Sequence, residues 1–290
     1  MSADSGGGPR SLSAEWREWL VENLLLGVEA EELVQVLVKS DVDVELARAA
    51  IVAETQDPHF QGAVRVAQMQ RKMETLLDVY AEFYRQSGAH QGVDRHAALS
   101  PEVFFERYYF RNRPVVVQGA LAAWPALGRW TRARISQEGE VLHAPLLGRE
   151  EWKPLLEEFE PPRGYASADL QVSAPQLCLE RTGAELALRP LRKNLLRCQV
   201  SGRCVLELVP SFELHRVTQD PEEGSTPPAL RLTVELGAGE MLLLPVGWWY
   251  RLQAREDSLA VAFEGFALPE PNTVWRESVP ETVPLPPPRS

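Results

Sequence analysis

The chain is 290 residues long, which at about 150 residues per domain allows one large or two modest domains. A hydrophobic fraction of 44% is enough for a sizeable core and excludes a wholly disordered chain. Asp and Glu outnumber Lys and Arg by 41 to 30, and the resulting net charge of −11 repels phosphate backbones and argues against nucleic-acid binding.

Residues 1–10, rich in Gly and Ser, read as a disordered leader without the apolar core of a secretory signal. A helical region follows to residue 96. The first helix starts at Ser13, carries Trp16, Trp19, Leu20 and Leu24 on one stripe, and closes at Gly27. A second runs from Ala30 to Ser40 with Leu33, Val36 and Leu37 on one side. A third runs from Asp43 to Thr55, limited by Pro58. A fourth, Val64 to Tyr84, carries Val66, Met69, Met73, Leu76, Leu77 and Tyr80 at helical spacing. These stripes are expected to pack among themselves and on the next domain, and a partner-binding face is the alternative.

From Pro101 the period changes. Val115–Val117 is a short buried-strand signal after Pro114. Further strands are expected at Gln176–Leu179, Leu195–Val200, Cys204–Leu208, Leu230–Leu236, Met241–Leu244, Trp249–Gln253 and Ser258–Phe263. Short strands punctuated by Gly, Pro and Asp point to a sandwich or barrel over 97–268. Residues 269–290, with PETVPLPPPRS, read as an extended, mobile tail. The three cysteines, Cys178, Cys198 and Cys204, cannot all pair and form no CxxC, which argues for a reducing compartment and against a structural zinc site. The longest apolar run, Met241 to Trp249, is broken by Pro245 and Gly247 and is too short for a membrane span. A cytoplasmic location is therefore expected.

Two phrases carry a resemblance. One is Gln199-Val200-Ser201-Gly202-Arg203 followed by Leu206-Glu207-Leu208-Val209-Pro210; the other is Gly237 to Tyr250, GAGEMLLLPVGWWY. With Arg113-Pro114-Val115-Val116-Val117 and Ala123-Trp124-Pro125, they resemble the cupin-like JmjC family of iron(II)/2-oxoglutarate oxygenases over about residues 11–266. The helical opening LSAEWREWLVENLLLG is similar to the N-terminal extension of bacterial members. The resemblance implies an α+β chain: an N-terminal helical region plus a double-stranded β-helix (jelly-roll) barrel whose mouth holds iron and 2-oxoglutarate.

The family's ligands do not map onto this sequence. Iron in such enzymes needs two His and one carboxylate, with positions left open for cosubstrate and oxygen. The HxD element, about ten residues before Gln199, falls on Arg189, Pro190 and Leu191. Arg189 is a permanent cation and Leu191 has no donor atom. The second His falls on Tyr250. The residue that grips the far carboxylate of 2-oxoglutarate falls on Cys204, and an upstream hydroxyl position falls near Leu186. Of His59, His90, His96, His143 and His215, none is followed two residues later by Asp or Glu. Asp57-Pro58-His59 is a reversed pattern within the helical region.

The chain is therefore expected to use neither iron nor 2-oxoglutarate and to act as a pseudoenzyme in binding, regulation or scaffolding. A protein or peptide partner is expected, with a homodimer through the helices or a heteromer with an active relative as its form. Two alternatives stay open: a working hydroxylase with an unorthodox metal site built from His215, Tyr250 and an acidic residue, or an inactive subunit completed by that relative. Cys178, Cys198 and Cys204 could converge with a His on zinc, or pack separately as small hydrophobes. If Arg189 is buried, Glu180, Glu185 or Glu207 is expected to pair with it. A sharper reading makes Arg189, Arg197 and Tyr250 an anion or peptide-carboxylate pocket, with Trp248 and Trp249 beside it. Trp248 and Trp249 could instead divide between core and outside, as strand alternation requires.

Overall fold

The structure is a computed structural model that describes residues 11–135, 142–217, 230–266 and 273–275. Its helices are α1 (Ala14–Leu26), α2 (Ala30–Lys39), α3 (Val44–Gln56) and α4 (Pro58–Gln86). Ser13 caps α1 by accepting the Trp16 N–H, and Gly27 ends it in the left-handed region at φ 86°. The Asp43 carboxylate caps α3 through the N–H groups of Glu45 and Leu46. Helix α4 begins six residues before the expected Val64. Pro58 suits a first helical position, and Asp57 accepts the His59 and Phe60 N–H groups, so this dipeptide starts a helix as well as limiting the previous one.

The chain divides into two compact units, with the division along the sequence between Val79 and Tyr80 in α4. In the first unit Leu20, Leu33, Val34, Leu37, Ala47 and Ile51 form a buried cluster, with Trp16, Trp19 and Leu24 around it. The α4 stripe behaves differently from the expected packing: Val66, Met69, Met73, Leu76 and Tyr80 are exposed and Leu77 is half-buried.

The second unit holds eleven described strands: β1 (Asp94–His96), β2 (Val115–Val117), β3 (Leu142–Pro145), β4 (Pro175–Glu180), β5 (Glu185–Pro190), β6 (Leu195–Ser201), β7 (Cys204–Val209), β8 (Leu232–Leu236), β9 (Met241–Leu244), β10 (Trp249–Ala254) and β11 (Ser258–Glu264). They form a seven-stranded sheet ordered β1-β2-β9-β6-β11-β4-β3 and a four-stranded sheet ordered β5-β10-β7-β8. Every pairing is antiparallel except β1 with β2. With the helices, this is an α+β chain.

Strand alternation explains the core. Leu242, Leu244, Ala260 and Ala262 of the larger sheet share one cluster with Leu206, Leu208, Val234, Leu236 and Leu252 of the smaller, so the two sheets pack on each other. The opposite face of the larger sheet, with Leu177, Leu196, Val261 and Phe263, packs under Phe104, Trp124, Trp130 and Phe159. Burial on both faces is why β9 and β11 read as nearly unbroken apolar runs. The β6–β7 hairpin turns at Gly202, φ 72°, where a Cβ would lie 2.1 Å from the Asp257 carbonyl oxygen.

Strands β1, β3 and β5 were not anticipated. β1 (Asp-Arg-His) and β3 (Leu-His-Ala-Pro) are short sheet edges without a period-two apolar pattern. The leader, and the tail apart from 273–275, lie outside the described residues. Within that tail Val274 bridges to Lys193, and the Trp275 N–H donates to the Arg192 carbonyl at 2.8 Å. No described helix is long and apolar enough to cross a membrane.

Candidate functional site

Between the two sheets, the apolar core is interrupted by a chain of polar side chains. Alternation puts Cys178 and Glu180 of β4 on the inner face, and likewise Arg197 and Gln199 of β6. Ser258 of β11 sits opposite Glu180 in the β4–β11 register. The Arg197 guanidinium grips Glu180 with two parallel bonds, Nη1 to Oε1 at 3.0 Å and Nη2 to Oε2 at 2.9 Å. Both side chains are removed from solvent, at 4% and 0% exposure. Arg197 Nε donates to Gln199 Oε1 at 3.3 Å and Nη2 to Ser258 Oγ at 3.3 Å. Gln199 Nε2 donates to Ser258 Oγ and to the Ser201 carbonyl, each at 2.8 Å. The Cys204 thiol donates to Gln199 Oε1 at 3.6 Å.

The chain continues toward solvent through His143 of β3. His143 Nε2 lies 2.9 Å from Glu180 Oε1, and its Nδ1 lies 3.4 Å from Arg189 Nη2. Guanidinium only donates, so Nδ1 is the acceptor and the ring proton sits on Nε2, directed at the carboxylate. Arg189 faces Tyr250 across the β5–β10 register. Its Nε donates to the Tyr250 hydroxyl at 2.9 Å, Nη2 makes a second bond to the same oxygen, and the guanidinium carbon lies 5.0 Å from the ring centroid. An extra residue in β5 opposite the Tyr250–Leu252 step lets Leu186 and Arg189, three residues apart, both address inward-facing partners.

Burial opposes the Glu180 charge, but the Arg197 guanidinium and the His143 hydrogen bond outweigh it and hold the carboxyl down at about 2. Arg197 is likewise desolvated, yet Glu180 drives its pKa well above the ordinary value. These two charges cancel. Arg189 is left as a cation at the exposed end, with no carboxylate within ion-pair distance among the described residues. The expected pairing of Arg189 with Glu180, Glu185 or Glu207 is therefore corrected. Glu180 is held by Arg197 and His143, Glu207 by Arg231 and Arg251, and Glu185 accepts from Gln253. The exposed Arg189 can rest on a phenol because water still reaches it.

The remaining sequence-derived positions separate. Leu191 is buried in the inter-sheet cluster, and Leu186 packs at its margin opposite Leu252. Trp248 is fully buried: its Nε1–H donates to Asn112 Oδ1 at 2.6 Å and its ring lies 6.1 Å from Tyr84. Trp249 is half-buried. Arg189 and Tyr250 are in direct contact, whereas Arg197 reaches them only through Glu180 and His143. The three cysteines do not all converge: Cys178 and Cys204 lie in the core between the two sheets, and Cys198 lies in the cluster on the opposite face of the larger sheet. Burial raises all three thiols, Cys178 to about 12.

Sequence reasoning missed His143 as the link because its strand was not anticipated. The available signal was the i, i+2 spacing of Arg197 with Gln199 and of Cys178 with Glu180, which puts polar pairs on one face of otherwise apolar strands.

The residues at the family's iron positions do not fit iron: a guanidinium, an isobutyl group and a phenol hydrogen-bonded to that guanidinium. Among the described residues, His143, Cys178 and Glu180 bring three metal-capable atoms within 4.8 Å of one another, and His215 is not in that group. A cation there would compete with Arg197 for both Glu180 oxygens, sit beside a second guanidinium and need a thiolate from a thiol raised to about 12.

No family model and no curated protein sequence matches the chain. Among solved structures it is similar to the Drosophila melanogaster CENP-C cupin domain at 12% identity and a TM-score of 0.23. That likeness covers 31% of this chain and 59% of the other, so the chain spans less than two thirds of the domain it matches, and at this level it carries no functional argument.

Proposed function

We propose that the chain is a degenerate JmjC-type cupin, a pseudo-oxygenase that binds a carboxylate-bearing ligand instead of oxidising a substrate. The strand order supports the jelly-roll part of this reading: β4 to β11 interleave as β4-β11-β6-β9 and β5-β10-β7-β8. One observation carries the functional part. The buried carboxylate is closed by Arg197, while Arg189 remains at the solvent-facing end without a carboxylate partner among the described residues. An incoming carboxylate would complete a charge-assisted pair with Arg189, as a small dicarboxylate or as the carboxylate of a protein or peptide partner. A cytoplasmic setting suits the three buried free thiols.

Calorimetric titration with 2-oxoglutarate and succinate in the presence of EDTA tests this reading. Metal-independent binding that Arg189→Ala weakens about tenfold or more is expected, since a charge-assisted bond is worth roughly 1.5–3 kcal/mol. Binding that requires iron, or is indifferent to Arg189, overturns it.

A second reading rests on the His143, Cys178 and Glu180 donors, which could hold a metal if Arg197 released Glu180. Anaerobic loading followed by metal analysis separates the two. Substoichiometric iron and zinc support the pseudo-oxygenase, and one equivalent lost in His143→Ala supports the metal site.

A further inference from the structure

Helix α4 carries an apolar seam left exposed among the described residues. Val66, Met69, Met73, Leu76, Tyr80 and Phe83 are each between 49% and 69% exposed. Their spacing alternates three and four residues, the a and d positions of a heptad, which is the pattern of a helix paired along its length. Between residues 65 and 80 the helix is exposed on nearly all sides, with only Ala67, Glu74 and Leu77 partly covered.

Charge along the helix identifies the occupant. From Pro58 to Met73 it carries Arg65, Arg71 and Lys72 and no carboxylate; from Glu74 to Gln86 it carries Glu74, Asp78 and Glu82 against the single Arg85. We infer that α4 pairs antiparallel with α4 of a second copy of this chain. A two-fold axis between the Met73 and Leu76 levels layers Val66 on Phe83, Met69 on Tyr80 and Met73 on Leu76 of the second copy. All six seam residues are then used and small side chains meet large ones. The same axis sets the basic half of each helix beside the acidic half of the other, whereas a parallel pair would align like charges. A surface complementary to its own rotated copy is what an isologous dimer requires. The seam is about 26 Å long at 1.5 Å per residue. This inference is independent of the carboxylate reading, because none of its residues belongs to the polar chain between the sheets.

Sedimentation velocity on the full chain, from low to high micromolar concentration, tests it. The mass is expected to rise from 32.5 kDa toward twice that value. Met69→Glu alone and Tyr80→Lys alone each bury an unpaired charge in the seam and are expected to weaken dimerisation at least about tenfold. Both residues are exposed in the single chain, so thermal unfolding at low concentration should stay at the wild-type value. Combining the two is expected to restore the dimer, because the introduced carboxylate of one copy then meets the introduced ammonium of the other only in the antiparallel arrangement. A wild type that stays monomeric at the highest concentration overturns the inference and leaves the seam to a different chain. A double variant that stays monomeric while the wild type dimerises overturns the antiparallel self-pairing.

Discussion

Glu180 and Arg197 illustrate why a buried ion pair is more costly to break than to replace. Each charge is desolvated, and each is stabilised by the other through bonds of 2.9 and 3.0 Å. Glu180→Gln strands a guanidinium between the sheets and is expected to lower unfolding free energy by about 3–5 kcal/mol in urea melts. Glu180→Leu with Arg197→Met is expected to lose clearly less than either single change. A double variant as unstable as the sum of the singles would show that Arg197 is not held chiefly by Glu180. The same pair sets an acid limit. The Glu180 carboxyl is depressed in the folded state, so its contribution is complete above its unfolded value near 4.5 and is lost as pH falls toward about 2. The loss over that interval is expected to flatten in the Glu180→Leu, Arg197→Met double variant. At this scale the sequence pointed to Arg189, Arg197 and Tyr250 as pocket residues, Arg189 and Tyr250 because they stand at the positions of the resembled family's ligands. It did not reveal that Glu180 would answer Arg197 in place of Arg189, since that depends on which strands are neighbours, and β4 and β6 meet only across β11.

Individual elements were legible wherever local chemistry decides them. Ser13, Gly27 and Asp43 act as caps through their own side chain or backbone, and the predicted ends of α1 to α3 lie within a residue of those observed. The central strands were legible because burial on both faces leaves apolar runs bounded by Gly and Pro. The edge strands β1 and β3 were not, because their pairing is imposed by the sheet and has no counterpart in their composition. The β6–β7 hairpin depends on a single atom missing at Gly202. Gly202→Ala must adopt φ near 72° and also push a methyl group against the Asp257 carbonyl. Loss of soluble expression, or a melting temperature lowered by well over 5 °C, is the expected result in thermal scans. Gly183→Ala, at φ 80° with nothing within 4 Å of its Cβ, meets only the backbone cost and should be much milder.

For the whole molecule, the arrangement of the thiols gives a direct measure of cooperative opening. Cys178, Cys198 and Cys204 are no more than 3% exposed, and burial keeps them protonated. They are expected to resist a thiol-specific reagent in the native protein and to react together, three per chain, at the urea midpoint. Early reaction of one thiol would reveal a part of the sheets that opens by itself. The sheet order also governs how the protein is made. The last two described strands in chain order, β10 and β11, take up interior places, β10 between β5 and β7 and β11 between β4 and β6. Until residue 264 emerges, each sheet has a gap in its middle, and the strands on either side expose backbone edges to other nascent chains. Ending translation at Asp257 should therefore yield aggregate and not a shortened domain, so this architecture is acquired only after β11 has been made.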